Sequence, residues 1–343
     1  MDILFNRNGN GSKELRDATG SYYANNDFAK IRTDVELATD AMTKLVGGDV
    51  MARALAHYAS TDYLLPEPTA EQKRNDQLVR FLQVPIAYHA TFRYYQTNLV
   101  GHEDSGRKVK IDNQNERMPW EWMLDRDDAA QMRKANETTD RLIWWLEDNR
   151  IAEWMNSENR RATRSLFVHT AALFQDAYPI DLSPRFFYTV LPFNREVQQV
   201  KIKKAIGTYY QQLLNYHQAV TAEGSGSGSS GGGIPGEDDA FLSELLLLVQ
   251  KVIPLLTMVM AVRRLNLQAM PDGVVQHFKS MQAARGSSQP ALQEVVNAYI
   301  SSLEKDANYL LDDIKILIQS ADPEAGEYPL AAKNRDCYKY FRT

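Results

Sequence analysis

The chain is poor in the residues on which most recognisable chemistry depends. Its 343 residues include one cysteine, Cys337, so no disulfide can close within it and no cysteine-based zinc site can be assembled. That usage suits a reducing compartment. The six histidines are His57, His89, His102, His169, His217 and His277. None stands in H-E-x-x-H or E-x-x-H, which excludes the helical ligand spacing of zincins and of ferritin-like di-iron proteins. His102-Glu103-Asp104 reads as a solvated turn, and His89 as a packed or half-exposed side chain beside aromatics. Basic excess is missing as well. Lys and Arg number 39 against 44 Asp and Glu, for a net charge of -5, the reverse of a general nucleic-acid binder.

Long apolar runs are also absent. "FLSELLLLVQKVIPLLTMVMAV" is interrupted by Glu244, Gln250 and Lys251, whereas crossing a bilayer takes about 20 apolar residues. It reads as a buried helix, with no membrane implied. The opening "MDILFNRNGNGSKELRD" has no secretory pattern. Within it "GNGSKEL" (9–15) lacks the order of a phosphate loop and reads as a turn. The pairs Asp127-Asp128 and Asp238-Asp239 are expected at helix starts, where carboxylates complement the helix dipole. No catalytic, cofactor-binding or metal-ligating set is expected.

What the sequence does contain is helical periodicity. Thr69 and Gln72 form a capping-box pair. The helix after them sets Phe81, Pro85, Tyr88, Phe92, Tyr95 and Leu99 along one face. Asp128 and Gln131 suggest a second capping box, opening a helix with Met132, Ala135, Thr139, Leu142 and Leu146 on one side. Asn194 reads as the cap of a helix carrying Ile202, Ile206, Tyr209, Leu213 and Tyr216. Ser288 and Pro290 open another, with Leu292, Val296, Tyr299, Leu303, Ala307, Leu310, Ile314 and Leu317 in register. Strand signals are limited to "VKI" (109–111), "VVQHF" (274–278) and the initial "ILF". The fold class is mainly α.

Internal repetition organises these elements. "IRTDVELATDAMTKLVG" (31–47) matches "LPFNREVQQVKIKKAIG" (191–207) through Glu36 with Glu196, Met42 with Ile202, Lys44 with Lys204 and Gly47 with Gly207, at an offset of 160. Two long apolar helices then contain Pro85 and Pro254, offset 169. Polar turns with Gly106 and Gly273 follow, and Leu142 and Leu146 pair with Leu310 and Ile314 at offset 168. The expected architecture is a tandem duplication of a helical-bundle unit with short β-hairpin-like elements. Residues 1–150 form the first unit, 151–320 the second and 321–343 an extended C-terminal arm. The offset changes across "AEGSGSGSSGGGIPGEDD" (222–239), which makes 222–236 an inserted surface loop joining two helices of the second unit, flexible by composition.

Five tryptophans all fall between Trp120 and Trp154. Core packing at the junction of the two copies and a protein–protein anchor both account for such crowding. Trp144 and Trp145, adjacent on a helix, point about 100° apart and cannot face one core centre. The tail "AAKNRDCYKYFRT" is basic and aromatic in an acidic chain. Tyr338, Lys339, Tyr340, Phe341 and Arg342 are candidate contacts with a neighbour, as are Trp144 and Trp145.

The stretch from Leu142 to Gly207 resembles a structural-protein family encoded by tailed phages and prophages of gut-type bacteria. The resemblance rests on Leu146-Glu147-Asp148-Asn149, Trp154, Ser183, Phe186-Phe187, Pro192 and Ile206-Gly207. The chain departs from the family pattern in its Gly/Ser insertion and in "NERMPWEWM", which replaces a more polar stretch. The resemblance implies a virion component of the head–tail neck: a connector that forms a ring with other copies of itself and contacts portal and tail proteins. It brings no catalytic residues with it. A cytosolic helical adaptor and an all-α enzyme with a site between the repeats are the competing expectations.

Overall fold

The computed structural model describes residues 2–20, 27–98, 101–103, 106–108, 120–223, 237–265, 268–270, 273–275 and 293–321. It divides into two compact units, one reaching Ala162 and one starting at Thr163. The first boundary therefore lies beyond residue 150. The reason is local: Arg53 pairs with Glu153 at 3.0 Å, and Asn159 donates to the carbonyls of Lys44 and Leu45 at 3.0 and 2.7 Å. Residues 151–162 are thereby fastened to the helices before them. The described residues are mainly helical.

The first unit opens with an irregular segment, Asp2–Asn6, whose Leu4 and Phe5 are buried; "ILF" is not a strand. A 3-10 turn at Arg7–Gly9 leads into α1 (Gly11–Thr19), so "GNGSKEL" is largely helix. Then come α2 (Phe28–Val46), α3 (Gly48–Ala59) and α4 (Ala70–Asn98). A hairpin pairs β1 (Gly101–Glu103) antiparallel with β2 (Gly106–Lys108), so His102 and Glu103 belong to a strand. After it stand α5 (Glu121–Asp148), α6 (Ala152–Met155) and α7 (Glu158–Thr163). The second unit opens with an irregular segment around Leu166, Phe167 and Val168, all buried. It continues through α8 (Ala171–Ala177), α9 (Pro184–Glu196), a π turn (Val197–Ile202) and α10 (Lys203–Ile206). There follow α11 (Tyr209–Glu223), α12 (Glu237–Leu265), a hairpin of β3 (Gln268–Met270) with β4 (Gly273–Val275), and α13 (Gln293–Ala321).

In each unit the long proline-containing helix is the hub. α4 packs against α1, α2, α3 and α5; α12 packs against α8, α9, the π turn, α11 and α13. α12 is long and apolar enough to cross a membrane by length and composition, but 67% of its apolar window is buried inside the unit. The Thr69 capping box is present: Gln72 N–H donates to Thr69 Oγ1 at 3.2 Å and Thr69 N–H to Gln72 Oε1 at 2.9 Å.

Other local expectations change. Helix α5 begins at Glu121, so Asp127, Asp128 and Gln131 lie beyond its first turn. Asn194 is a fully buried residue inside α9 whose amide donates to Val168 O at 3.0 Å. The cap of that helix is Ser183, which accepts from Phe186 N–H at 3.1 Å with Pro184 in the first turn, where a missing N–H costs nothing. The helix expected through Tyr216 breaks at Gly207. On α4 Pro85 of the expected face is buried, together with Leu78, Val79, Leu82, Ile86 and Ala90 among others, whereas Phe81, Tyr88, Phe92 and Tyr95 are half-buried. The core stripe of α5 is as expected, with Ala135, Thr139, Leu142 and Leu146 buried; on α13 Leu303, Ala307 and Ile314 are buried while Tyr299 is exposed. The arm 321–343 beyond Ala321, the loop 224–236, "VKI" (109–111), Ser288 and Pro290 lie outside the described residues.

Candidate interaction surface

The interior shows what the polar residues do. In the second unit the backbone of the threaded segment is bonded by side chains from four elements. Gln198 of the π turn accepts from Phe167 N–H at 2.8 Å and donates to Ser165 O at 2.9 Å. His217 of α11 donates from Nε2 to Leu166 O at 2.9 Å, Gln250 of α12 to Phe167 O at 3.0 Å, and Asn194 to Val168 O. A buried irregular strand of chain needs such partners, because an unpaired buried peptide group costs about 1–3 kcal/mol. In the first unit Gln83 of α4 donates to Leu4 O at 2.6 Å, while Tyr58 Oη accepts from Arg7 N–H at 2.8 Å.

The titratable groups are similarly committed. His57 Nε2 lies 2.7 Å from Asp76 Oδ1, and the same oxygen accepts Leu64 N–H at 3.1 Å. This pair ties α3 and its connection to α4. Burial, then the Glu14 carboxylate, pushes the Tyr58 phenol far above its ordinary value. Burial and a hydrogen bond to Tyr299 raise Tyr178 to about 12. Both phenols stay protonated at neutral pH. Burial lowers the His217 pKa, with the Leu166 carbonyl opposing. Among the described residues no group of three or more His, Cys, Asp or Glu side chains could hold a metal ion.

The residues Leu146–Asn149, Trp154, Ser183 and Gly207 singled out in the sequence hold structural positions. Leu146 is buried, and Glu147 accepts Trp154 Nε1–H at 2.9 Å and pairs with Arg160 at 2.8 Å. Asn149 Nδ2 donates to Trp145 O. Ile151 N–H reaches back to Leu146 O and Arg150 N–H to Glu147 O. That is a Schellman ending with Arg150 at positive φ (46°). Gly47 and Gly207 both end helices at positive φ, 98° and 54°, each with its N–H on the carbonyl four residues back.

The tryptophans separate into three environments. Trp154 is in the core. Trp144 and Trp145 are half-buried; Trp145 stacks on Phe81 with ring centroids 5.1 Å apart and 21° between planes, so its main engagement is with α4. Trp120 and Trp122 are exposed, at 71% and 42%, with Met123 at 43%. These three precede Ala135, the first buried residue of α5. The sequence offers Trp144 and Trp145 as candidate contacts, while the most exposed tryptophans are Trp120 and Trp122. What distinguishes Trp120 and Trp122 is that they lie before the apolar stripe of α5 begins. Tyr338, Lys339, Tyr340, Phe341 and Arg342 lie outside the described residues. Other exposed apolar side chains include Leu64 and Leu182, both at positive φ (57° and 51°), and Val200, Tyr309 and Ile316.

The fold and surface define a mainly α protein of two helical units, with several large apolar side chains presented to solvent. It belongs to a family of unknown function, DUF6712, whose model matches residues 42–164 and 202–337, well over half of the chain. No curated protein and no solved structure matches it.

Proposed function

We propose that the chain is a non-enzymatic structural protein of a tailed-phage virion, a head–tail connector that forms a ring in the neck from two copies of one duplicated helical unit. The observation that carries the reading is the repetition. Each unit runs from a buried irregular segment through a short helix, a helical stretch ending at a positive-φ glycine (interrupted by the π turn in the second unit), a further helix, a long proline helix, a two-stranded hairpin and another long helix, which in the first unit is followed by α6 and α7. The two segments matched by the family model begin at Met42 and Ile202, a pair aligned by the sequence repeat. The family-like motif around Leu146–Gly207 supports the phage assignment. A duplicated unit suits a ring, whose contacts are heterologous, one face meeting a different face of the next copy.

On this reading the chain acts in the virion after assembly in the host cytoplasm, contacting other copies of itself together with portal and tail proteins. It needs no cofactor, membrane or specific nucleic-acid sequence. Residues 28–148 and 188–318 are expected to superpose as two copies, and a different helix order or packing in the two segments would remove the duplication. Two measurements test the function: electron microscopy of the purified protein, and mass spectrometry of purified particles. Rings of fixed copy number and the chain's presence in virions are expected. A protein that stays monomeric at all concentrations and is missing from particles would overturn the reading.

A further inference from the structure

The start of α5 combines two observations. First, Trp120, Trp122 and Met123 are exposed at the start of α5, where among the described side chains none is buried before Ala135. Large aromatics of this kind at a surface are the usual anchors of protein contacts. Second, the same turns are acidic: Asp125 and Asp127 are exposed and Asp128 half-buried, with Arg126 the single opposing charge among residues 122–128. An occupant should therefore combine aromatic or aliphatic area with positive charge.

One segment of this chain has that chemistry. Lys333–Thr343 contains Lys333, Arg335, Lys339 and Arg342 against Asp336, and Tyr338, Tyr340 and Phe341 supply apolar area. Its sign is opposite to that of the chain, whose net charge is -5, and opposite to that of the α5 turns. Lysine and arginine also stack favourably on exposed tryptophan faces. The last described helix ends at Ala321, so the residues up to Lys333 span at most about 40 Å when extended. Donor segment and acceptor turns are different stretches of the sequence, which makes their pairing between copies heterologous and able to continue from copy to copy.

We infer that the first turns of α5, centred on Trp120, Trp122 and Met123, are the docking site for the C-terminal segment Lys333–Thr343 of a second copy of this chain. The inference rests on the self-assembly reading above and names the contact that joins one copy to the next. Tyr338, Tyr340 and Phe341 cover the exposed tryptophans and Met123, while Lys339 and Arg342 meet Asp125 and Asp127.

The test uses the full chain with Tyr340→benzoylphenylalanine, a photoreactive side chain. Normal and ¹⁵N-labelled copies are mixed, irradiated and digested. Cross-links from position 340 to peptides spanning 120–128 in mixed-isotope pairs are the expected result. The double change Asp125→Lys with Asp127→Lys lowers their yield about tenfold, as loss of two surface charge pairs implies. Adding Lys339→Asp with Arg342→Asp restores it, which a folding defect in either variant would not allow; circular dichroism checks the fold of each. Cross-links confined to same-isotope pairs, cross-links to other regions, or failure of the charge swap to restore yield would each overturn the inference. Particles that contain the chain without this cross-link would overturn the contact and leave the virion assignment standing. The cross-link in a protein missing from particles would do the reverse.

Discussion

The two units solve one packing problem with different numbers of side chains. Each buries an irregular apolar segment beside its long proline helix, and each uses a glutamine of that helix, Gln83 or Gln250, to bond a carbonyl of the segment. In the first unit the segment's backbone is held by Gln83 at Leu4 O and by Glu14, which accepts Asn6 N–H, with Tyr58 bonding the adjacent turn. In the second unit, Asn194, Gln198, His217 and Gln250 all converge on Ser165–Val168. The π turn at Val197–Ile202 places Gln198 where its amide bonds both Phe167 and Ser165. Such one-turn widenings of a helix are tolerated where a side chain must be re-aimed. The lesson is that an inserted irregular strand is specified by scattered amides rather than by its own sequence.

The sharpest way to break this contrast is to remove the amides in turn. Gln198→Leu strips partners from a buried donor and an acceptor and should cost the second unit about 3 kcal/mol, whereas Gln83→Leu frees one carbonyl and should cost the first about 1–2 kcal/mol. Tryptophan fluorescence in a urea titration reads the first unit, since all five tryptophans precede Ala162. Amide exchange of peptides from α11 reads the second. Equal losses would show that water replaces the glutamine in both.

A smaller effect compares the two helix-ending glycines. Gly47→Ala and Gly207→Ala should each destabilise by about 1–2 kcal/mol, because alanine disfavours positive φ. At Gly47 the added Cβ also meets the Ser157 Cβ at 3.1 Å. Ser157→Gly should therefore recover part of the loss at Gly47, as measured by melting temperature.

The smallest effect is electrostatic and confined to the second unit. The folded pKa of His217 lies below its ordinary 6.5 because burial penalises the imidazolium. Below about pH 6.5 the unfolded chain takes up a proton that the folded unit refuses. This contribution to stability is thus constant above that pH and declines as pH falls towards the folded value. His217→Gln keeps a donor available for Leu166 O and should flatten that slope in acid-titrated unfolding. An unchanged slope would remove His217 as its source.

Legibility in the sequence followed the range of the interaction. The Thr69–Gln72 cap and the Ala135–Leu146 stripe are set by neighbours three or four residues apart, and both were readable. Asp128 and Gln131 have the same spacing as a cap without being one, since acidic residues and glutamine also occur on exposed helix faces. The buried side of α4 is wider than the Phe81–Tyr95 stripe, because a hub helix with four packed neighbours has no single apolar face; Phe81 and Tyr88 face partners as well. Leu166–Val168 gave no periodic signal, and its partners lie between 26 and 83 residues away. The tryptophan cluster was visible, but sorting Trp120 and Trp122 from Trp145 required knowing where burial on α5 begins.

The threaded segments also set an order for synthesis. Leu4 leaves the ribosome 79 residues before the glutamine that holds it, a delay on the order of ten seconds at ordinary elongation rates. Phe167 waits 31 residues for Gln198 and 83 for Gln250. The earliest-made apolar residues of each unit are therefore among the last to be enclosed, and closure depends on contacts distant in sequence, the slow kind. While α4 or α12 is still being made, the nascent chain offers "ILF" or "LFV" to whatever is nearby. Chaperones that shield short apolar stretches would find their targets there.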